Sequence, residues 1–222
     1  GVGAVIHLAG EPVIDERWTP ERKRALIDSR RLGGKHIVDA MAALPADRRP
    51  KTLLSASAVG FYGDGGDEVL EESHDPGTGF LPEICIAWEE ASRHAEALGV
   101  RVVYHRIGVV LTPKGGALAK MLTPFKLGVG GVIGSGRQYL PWIHLEDALE
   151  LMVFALEHEA VKGPLNTTSP QPATFVRRHV AFMNHRSDFL RRYFSHVFCR
   201  ARCRERNRRS STRRRKSEFQ AI

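Results

Sequence analysis

Leu53–Gly63, LLSASAVGFYG, decides the fold. It opens as a continuous apolar run, turns to small and hydroxyl residues at Ser55, Ala56 and Ser57, and breaks at Tyr62-Gly63. A short continuous apolar run is a strand covered on both faces. A strand that becomes polar at its carboxyl end marks the place where an open α/β sheet puts its ligand. Ser55 and Ser57 are open to two readings. They are small residues that admit a neighbouring helix, or they are hydroxyls that orient a substrate oxygen.

Working outward, Ala4–Gly10 (AVIHLAG) repeats the pattern upstream, and Val100–Leu111 (VRVVYHRIGVVL) is a third, strongly β-branched strand downstream. Thr19-Pro20-Glu21 is a helix start, with Thr as cap and Pro at the first helical position. From there to about Leu44 apolar residues recur at helical spacing. The Gly33-Gly34 pair in that stretch predicts either close packing or a break. Asp64–Gly79 is an acidic, glycine-rich loop, and Pro82–Leu98 reads as a second helix ending at Gly99. Strand, helix, strand, helix, strand in that order predicts right-handed crossovers and a parallel sheet, an α/β fold.

Past Leu111 the spacing predicts a helix over Gly115–Leu127, a loop over Gly128–Gly136 and an edge strand over Tyr139–His144. A helix follows over His144–His158, with Glu146 and Asp147 at its positive amino-terminal end, then a connector over Pro164–Pro172.

The chain has 222 residues, 42% of them hydrophobic, enough to bury a core. No run approaches the roughly 18 apolar residues of a membrane span, so no membrane partner is expected. Three cysteines make no disulfide framework and predict a reducing compartment, the cytoplasm. The net charge of +8 is unevenly placed. Residues 177–222 carry 15 Lys/Arg against 3 Asp/Glu, whereas residues 1–176 carry 18 against 22. The body is mildly acidic, and the whole-chain basicity says little about function.

The ordered set AVIHLAG, LLSASAVGFYG, VRVVYHRIGVVL and GSGRQYLPWIHLEDAL resembles the extended short-chain dehydrogenase/reductase superfamily. Within it the chain looks like the atypical, NAD-dependent epimerase/dehydratase-like branch of nucleoside-diphosphate-sugar epimerases. Further matching pieces are Arg17–Gly34, Gly115–Gly131 and Gly163–Pro172, and the resemblance runs over residues 4–175. It implies a partial Rossmann-type parallel sheet with flanking helices and a small carboxyl-terminal substrate lobe. Residues 1–112 would then be the later part of a dinucleotide-binding domain, 113–175 the lobe with a returning helix and strand, and 176–222 a basic tail outside the folded body.

The resemblance also implies a nicotinamide cofactor, NADP being favoured over NAD, and a small-molecule substrate such as a sugar nucleotide. Leu8, Ala9 and Gly10 would lie near the adenosine ribose. Ser55 and Ala56 lead to Ser57, the hydroxyl beside the nicotinamide. Arg106, Ile107 and Gly108 would flank the nicotinamide end, and Arg137, His144 and Asp147 would belong to the substrate lobe or its base.

Two departures qualify this. The family's Tyr and Lys fall at Cys85 and Glu89, and neither does the same work unchanged. Cys85 is a candidate proton donor or a small apolar helix residue. Glu89 puts an anion where the family has a cation, which raises a neighbour's pKa. Nor does a glycine-rich pyrophosphate turn precede AVIHLAG in this sequence, so weak or absent NAD(P) binding by the chain as given is expected, with β pairing exposed at its first strand. Gly63–Gly66 sits among acidic residues, and Gly128–Gly136 lacks the Lys-Ser/Thr of a phosphate loop; both read as turns.

The arginine-dense residues 177–222 lack any lasting period. They read as the product of a frame shift or misplaced exon boundary rather than as a nucleic-acid-binding arm. Cys199 and Cys203 with His185 and His196 have spacing outside the usual zinc pairs, so no metal site is expected. The functional expectation is an NAD(P)-dependent oxidoreductase or epimerase, impaired in the chain as given. The alternatives are a non-catalytic dinucleotide sensor or scaffold and, after it, a nucleic-acid binder. The oligomeric state is left open.

Overall fold

Thr52–Ala58 forms the strand that its apolar run predicts, and the rest of the sheet is laid on either side of it. The computed structural model describes residues 2–112, 115–118, 135–170 and 173–174. In chain order the elements are β1 (Ala4–His7), α1 (Pro20–Ala42), β2 (Thr52–Ala58), α2 (Phe80–Arg93), β3 (Arg101–Ile107), β4 (Val109–Leu111), β5 (Tyr139–Leu140), β6 (Trp142–His144), α3 (Leu145–Glu157) and β7 (Gly163–Thr167). The chain divides into two units, Gly1–Gly131 with Gln138–Ala173, and Val132–Arg137 with Thr174–Ile222.

The central sheet has the order β1-β2-β3-β7, all parallel. The register puts His7, Ser55 and Tyr104 in one row and Ser57, Arg106 and Asn166 in another. Alternation along the strands sends neighbouring residues to opposite faces. Leu53, Val102 and Tyr104 pack with Val38 and Met41 of α1 and with Ala95. Leu54 and Val103 pack with Met152 and Ala155 of α3. The sheet is therefore covered on both sides, the α/β class that the sequence predicts.

Thr19 caps α1 as expected, its Oγ1 accepting from the Arg22 N–H at 3.2 Å, with Pro20 in the first turn. Gly33-Gly34 does not break α1. A Cβ placed on Gly34 would come 2.8 Å from Ala91 Cβ on α2, so the glycine lets two helix backbones approach. After α2 a short turn, Glu96–Leu98, closes at Gly99 with a left-handed φ of 77°.

Two expectations need correction. Val100–Leu111 is two strands, not one. At Gly108 the chain leaves the central sheet, and Val109–Leu111 pairs instead with Trp142–His144 in a second, parallel ribbon. Gly108 N–H donates to Thr167 O at 3.1 Å and the next N–H to Pro141 O at 2.8 Å. A Cβ at Gly108 would lie 3.0 Å from that same Pro141 oxygen. The stretch expected as a connector, Pro164–Pro172, begins with the fourth sheet strand. Among the described residues β7 is the sheet's edge, where Pro164 is tolerated.

Tyr139–His144 is the two short strands β5 and β6, and His144–His158 is α3 with His144 as its cap. The expected helix over Gly115–Leu127 and loop over Gly128–Gly136 fall mostly outside the described residues, and the basic tail with Cys199 and Cys203 does so wholly. No described helix is long and apolar enough to cross a membrane.

Candidate functional site

The carboxyl ends of β2, β3 and β7 bring a polar network together. Ser57, one residue before the end of β2, is 2% exposed and donates its hydroxyl to Glu89 Oε1 at 2.7 Å. Glu89, on the sheet-facing side of α2, is 3% exposed. Its partner is Arg106 on β3, with Nε to Oε1 at 2.9 Å and Nη2 to Oε2 at 3.0 Å. Arg106 Nη1 donates to the Tyr62 hydroxyl at 2.9 Å and to Glu72 O at 3.2 Å. Its guanidinium carbon lies 3.5 Å from the Phe61 ring centroid.

Tyr62 passes its own proton to Asn166 Oδ1 at 2.7 Å. Asn166 holds the acidic loop in turn, through Nδ2 to Leu70 O at 3.1 Å and through its backbone N–H to Glu72 Oε1 at 2.8 Å. Bidentate carboxylate–guanidinium geometry of this kind is the strongest form of the pair. Burial by itself would lower the Arg106 guanidinium. The bonds to Glu89 and Tyr62 outweigh that and hold it above its ordinary value.

Cys85 lies one turn before Glu89 on α2, 3% exposed, in a cluster with Phe61 and Tyr62. Burial pushes its thiol up to about 11. The Ala58 amide and the Ser57 hydroxyl pull back, and the charge of Glu89 adds to the rise. The anion at this position therefore acts in the expected direction, but burial is the larger cause.

The two serines part company. Ser55 Oγ is 2.7 Å from Ser92 Oγ and fully buried, a contact between strand and helix. Only Ser57 joins the charged network. Leu8, Ala9 and Gly10 follow β1 and are exposed. Ile107 packs against the α3 side of the sheet, and Gly108 passes beneath Pro141. The side chain of Arg106 is committed to Glu89, Tyr62 and Glu72, and its backbone lies in the sheet between Ser57 of β2 and Asn166 of β7.

His144 uses Nδ1 to accept from Glu146 N–H at 3.3 Å at the start of α3, and Asp147 stands in the first turn of that helix. Arg137 belongs to the other unit, where its N–H donates to Ser135 Oγ at 3.3 Å. Among the described residues no cluster of His, Cys, Asp and Glu has the arrangement to hold a metal ion. Sequence reasoning missed Tyr62, Glu72 and Asn166. The Tyr-Gly break at the end of LLSASAVGFYG carried a signal for the first. Nothing local marked the other two.

The fold agrees with what the chain resembles. A family model described as the NAD dependent epimerase/dehydratase family matches residues 1–167. An epimerase family protein of Mycobacterium bovis is 42% identical over 181 residues, 82% of this chain and 59% of its own length. The epimerase family protein SDR39U1 homolog, chloroplastic, of Arabidopsis thaliana is 42% identical over 172 residues, 78% of this chain and 49% of its own. The chain thus spans about half to three fifths of the length of these relatives.

Among solved structures, human epimerase family protein SDR39U1 (isoform 2), crystallised with NADPH, superposes with a TM-score of 0.74 at 32% identity, covering 82% of this chain and 62% of that one. The nucleoside-diphosphate sugar epimerase of Corynebacterium glutamicum superposes with a TM-score of 0.72 at 33% identity, covering 84% and 38%. The parallel sheet with helices on both faces, the serine at the end of its second strand and these matches over most of its length make the chain a member of the NAD-dependent epimerase/dehydratase family.

Proposed function

We propose that the chain carries the serine side of an NAD(P)-dependent oxidoreductase or epimerase site that acts on a hydroxylated substrate, a sugar nucleotide being the class favoured. The observation that carries this reading is the 2.7 Å bond from Ser57 Oγ to Glu89 at the carboxyl end of the sheet. The human relative bound to NADPH supports NADP over NAD, and the name of the Corynebacterium protein supports the substrate class. Ala9 and Gly10 fit the cofactor: they follow β1 as exposed backbone with a methyl group or no side chain to stand in the way. Leu8 to Gly10 and the backbone of Ser55, Ala56, Arg106, Ile107 and Gly108 are the groups proposed to line it. Arg137, His144 and Asp147 remain proposed members of the substrate lobe.

A nicotinamide held there would supply hydride exchange with the carbon that bears the reacting oxygen, the accompanying proton passing to or from solvent. The residues of the chain orient the substrate. Ser57 has its hydrogen committed to Glu89, so it offers lone pairs and orients a substrate hydroxyl by accepting from it. Glu89 does not take that proton onward. Protonating it would leave Arg106 buried without its counter-ion, and breaking such a pair costs about 3–5 kcal/mol. Cys85, titrating near 11, is protonated at neutral pH and cannot accept a proton from an alcohol. Glu89 and Arg106 together fix the direction of the Ser57 hydroxyl.

A second reading has its own observation. The two positions at which the family has Tyr and Lys are a buried thiol and a closed ion pair, which suits a dinucleotide sensor or scaffold without turnover. One assay separates the two. Turnover of a panel of sugar nucleotides with NADPH or NADP is measured for the wild type and Ser57→Ala. The catalytic reading expects the variant to lose about 10²-fold or more. Equal rates remove the role of Ser57, and turnover of any member of the panel removes the sensor.

A further inference from the structure

The loop after β1 is tied to both helices on its side of the sheet through one arginine. Arg30, on α1, is 5% exposed. Its Nη2 donates to Glu11 O at 3.0 Å, and its Nη1 to Leu26 O at 2.9 Å and to Ser29 Oγ at 3.3 Å. Ser29 Oγ accepts in turn from the Glu11 N–H at 3.2 Å, so both backbone groups of Glu11 are held from α1. Gly10 crosses directly over the guanidinium: a Cβ there would lie 3.1 Å from Arg30 Cζ. On its other side that same carbon sits 4.7 Å from the ring centroid of Trp88. Trp88 precedes Glu89, the residue that holds Ser57.

Such an arrangement is costly unless it does something. A buried guanidinium is lowered by desolvation, and among the described residues Arg30 has no carboxylate within ion-pair distance. Its Nε has no hydrogen-bond partner. An apolar residue would fill the same space without that cost. What an apolar residue could not do is bond the Glu11 carbonyl while stacking on α2.

We propose that Arg30 is a positioning residue that fixes the Leu8–Gly10 backbone relative to α2, and so sets the affinity for the nicotinamide cofactor. This rests on the reading of Leu8–Gly10 as cofactor-facing backbone. Arg30 does not touch the cofactor. It holds the segment that does at a set distance from the helix that carries Cys85 and Glu89. Gly10 is the matching half of the device, because a Cβ there would crowd the Arg30 side chain at 3.1 Å and push it aside by a few tenths of an ångström.

The test is NADPH titration by fluorescence of the wild type, Arg30→Gln, Arg30→Lys and Gly10→Ala, with thermal melts and amide hydrogen exchange of residues 9–11 on each. Arg30→Gln is expected to weaken NADPH binding about tenfold or more while its melting temperature, once corrected for ligand, stays near that of Gly10→Ala. The Arg30→Lys variant, which keeps the charge but cannot reach both carbonyls, is expected to bind with an affinity between those of Arg30→Gln and the wild type. Exchange at residues 9–11 rises in step with the lost affinity. If the wild type binds and Arg30→Gln binds equally well, the proposal is overturned. Where the wild type binds NADPH too weakly to titrate, as the lack of a pyrophosphate turn ahead of AVIHLAG predicts, exchange decides the clamp. Faster exchange at residues 9–11 in Arg30→Gln sustains it, and unchanged exchange ends it.

Discussion

Glu89 and Arg106 meet as a closed pair, Nε to Oε1 at 2.9 Å and Nη2 to Oε2 at 3.0 Å, with side chains only 4% and 5% exposed. The same Glu89 oxygen that receives Nε also receives the Ser57 hydroxyl. Glu89, which the resemblance sets where the family has a cation, is an anion, and the cation paired with it comes from β3. The net charge beside Ser57 is near zero, which is the physical reason an acidic residue is tolerated there.

Removing one partner leaves the other buried and uncompensated. Glu89→Gln is expected to destabilise the fold by about 3–5 kcal/mol in urea unfolding. Replacing both, Glu89→Leu with Arg106→Met, should recover most of that loss, because the desolvation cost of both ions goes as well. A Glu89→Gln variant within 0.5 kcal/mol of wild type, on the scale of an ordinary surface change, would contradict the pair.

Cys85 yields an alkaline prediction. Its thiol is raised from 9.0 to about 11 by burial, so the folded state keeps the proton that the unfolded chain releases first. The stability this contributes is intact below pH 9 and is lost as pH rises toward 11. At 1.36 kcal/mol per unit the rise is worth about 3 kcal/mol, of which about 2 kcal/mol is gone by pH 11. Unfolding free energies of wild type and Cys85→Ala measured from pH 8 to 11 should converge by that amount. In the same range a thiol reagent should react with Cys85 only as fast as the protein opens. A slope shared by both proteins would show that the thiol is not the group involved.

Much of the architecture was legible in short stretches because it is set locally. Thr19-Pro20 marks a helix start by capping chemistry alone, and LLSASA marks a buried strand by composition alone. The misses have a common cause in long-range partners. Pro164 reads as a strand breaker until the sheet places it on an edge, and Gly108 reads as part of one strand until Pro141 packs over it. Glu89, Arg106, Tyr62 and Asn166 come from four separate segments, and nothing in any one of them announces the others. Spacing left Ser55 and Ser57 equally open at the end of their strand, and only the resemblance singled out Ser57. That Ser55 is a packing contact depends on Ser92, 37 positions away.

His105 yields the acid counterpart. It is fully buried on β3, its Nδ1 2.9 Å from Thr167 Oγ1 and its Nε2 without a partner. Burial lowers its imidazole from 6.5 to about 4. The folded state therefore favours the neutral ring. The stability is complete above pH 6.5 and drains away as pH falls toward 4. Over that window the loss is about 3 kcal/mol. Urea midpoints at pH 7 and pH 4 should differ less in His105→Gln than in wild type by that margin. An equal difference in both would place the acid sensitivity elsewhere.

Gly34 tests the helix contact that brings α2, and with it Glu89, to its place over the sheet. In an isolated helix Gly→Ala gains about 1 kcal/mol. Here the new methyl would stand 2.8 Å from Ala91 Cβ, and overpacking of that kind costs about 1–3 kcal/mol. Gly34→Ala is therefore expected to lower the melting temperature despite the better helix former, and adding Ala91→Gly should restore part of it. Because the methyl would push α2 away from α1, Gly34→Ala should also loosen the packing of α2 around Cys85, read as faster alkylation of its thiol. A Gly34→Ala variant that melts higher than wild type, with Cys85 still shielded, would mean that the two helices do not meet at this point.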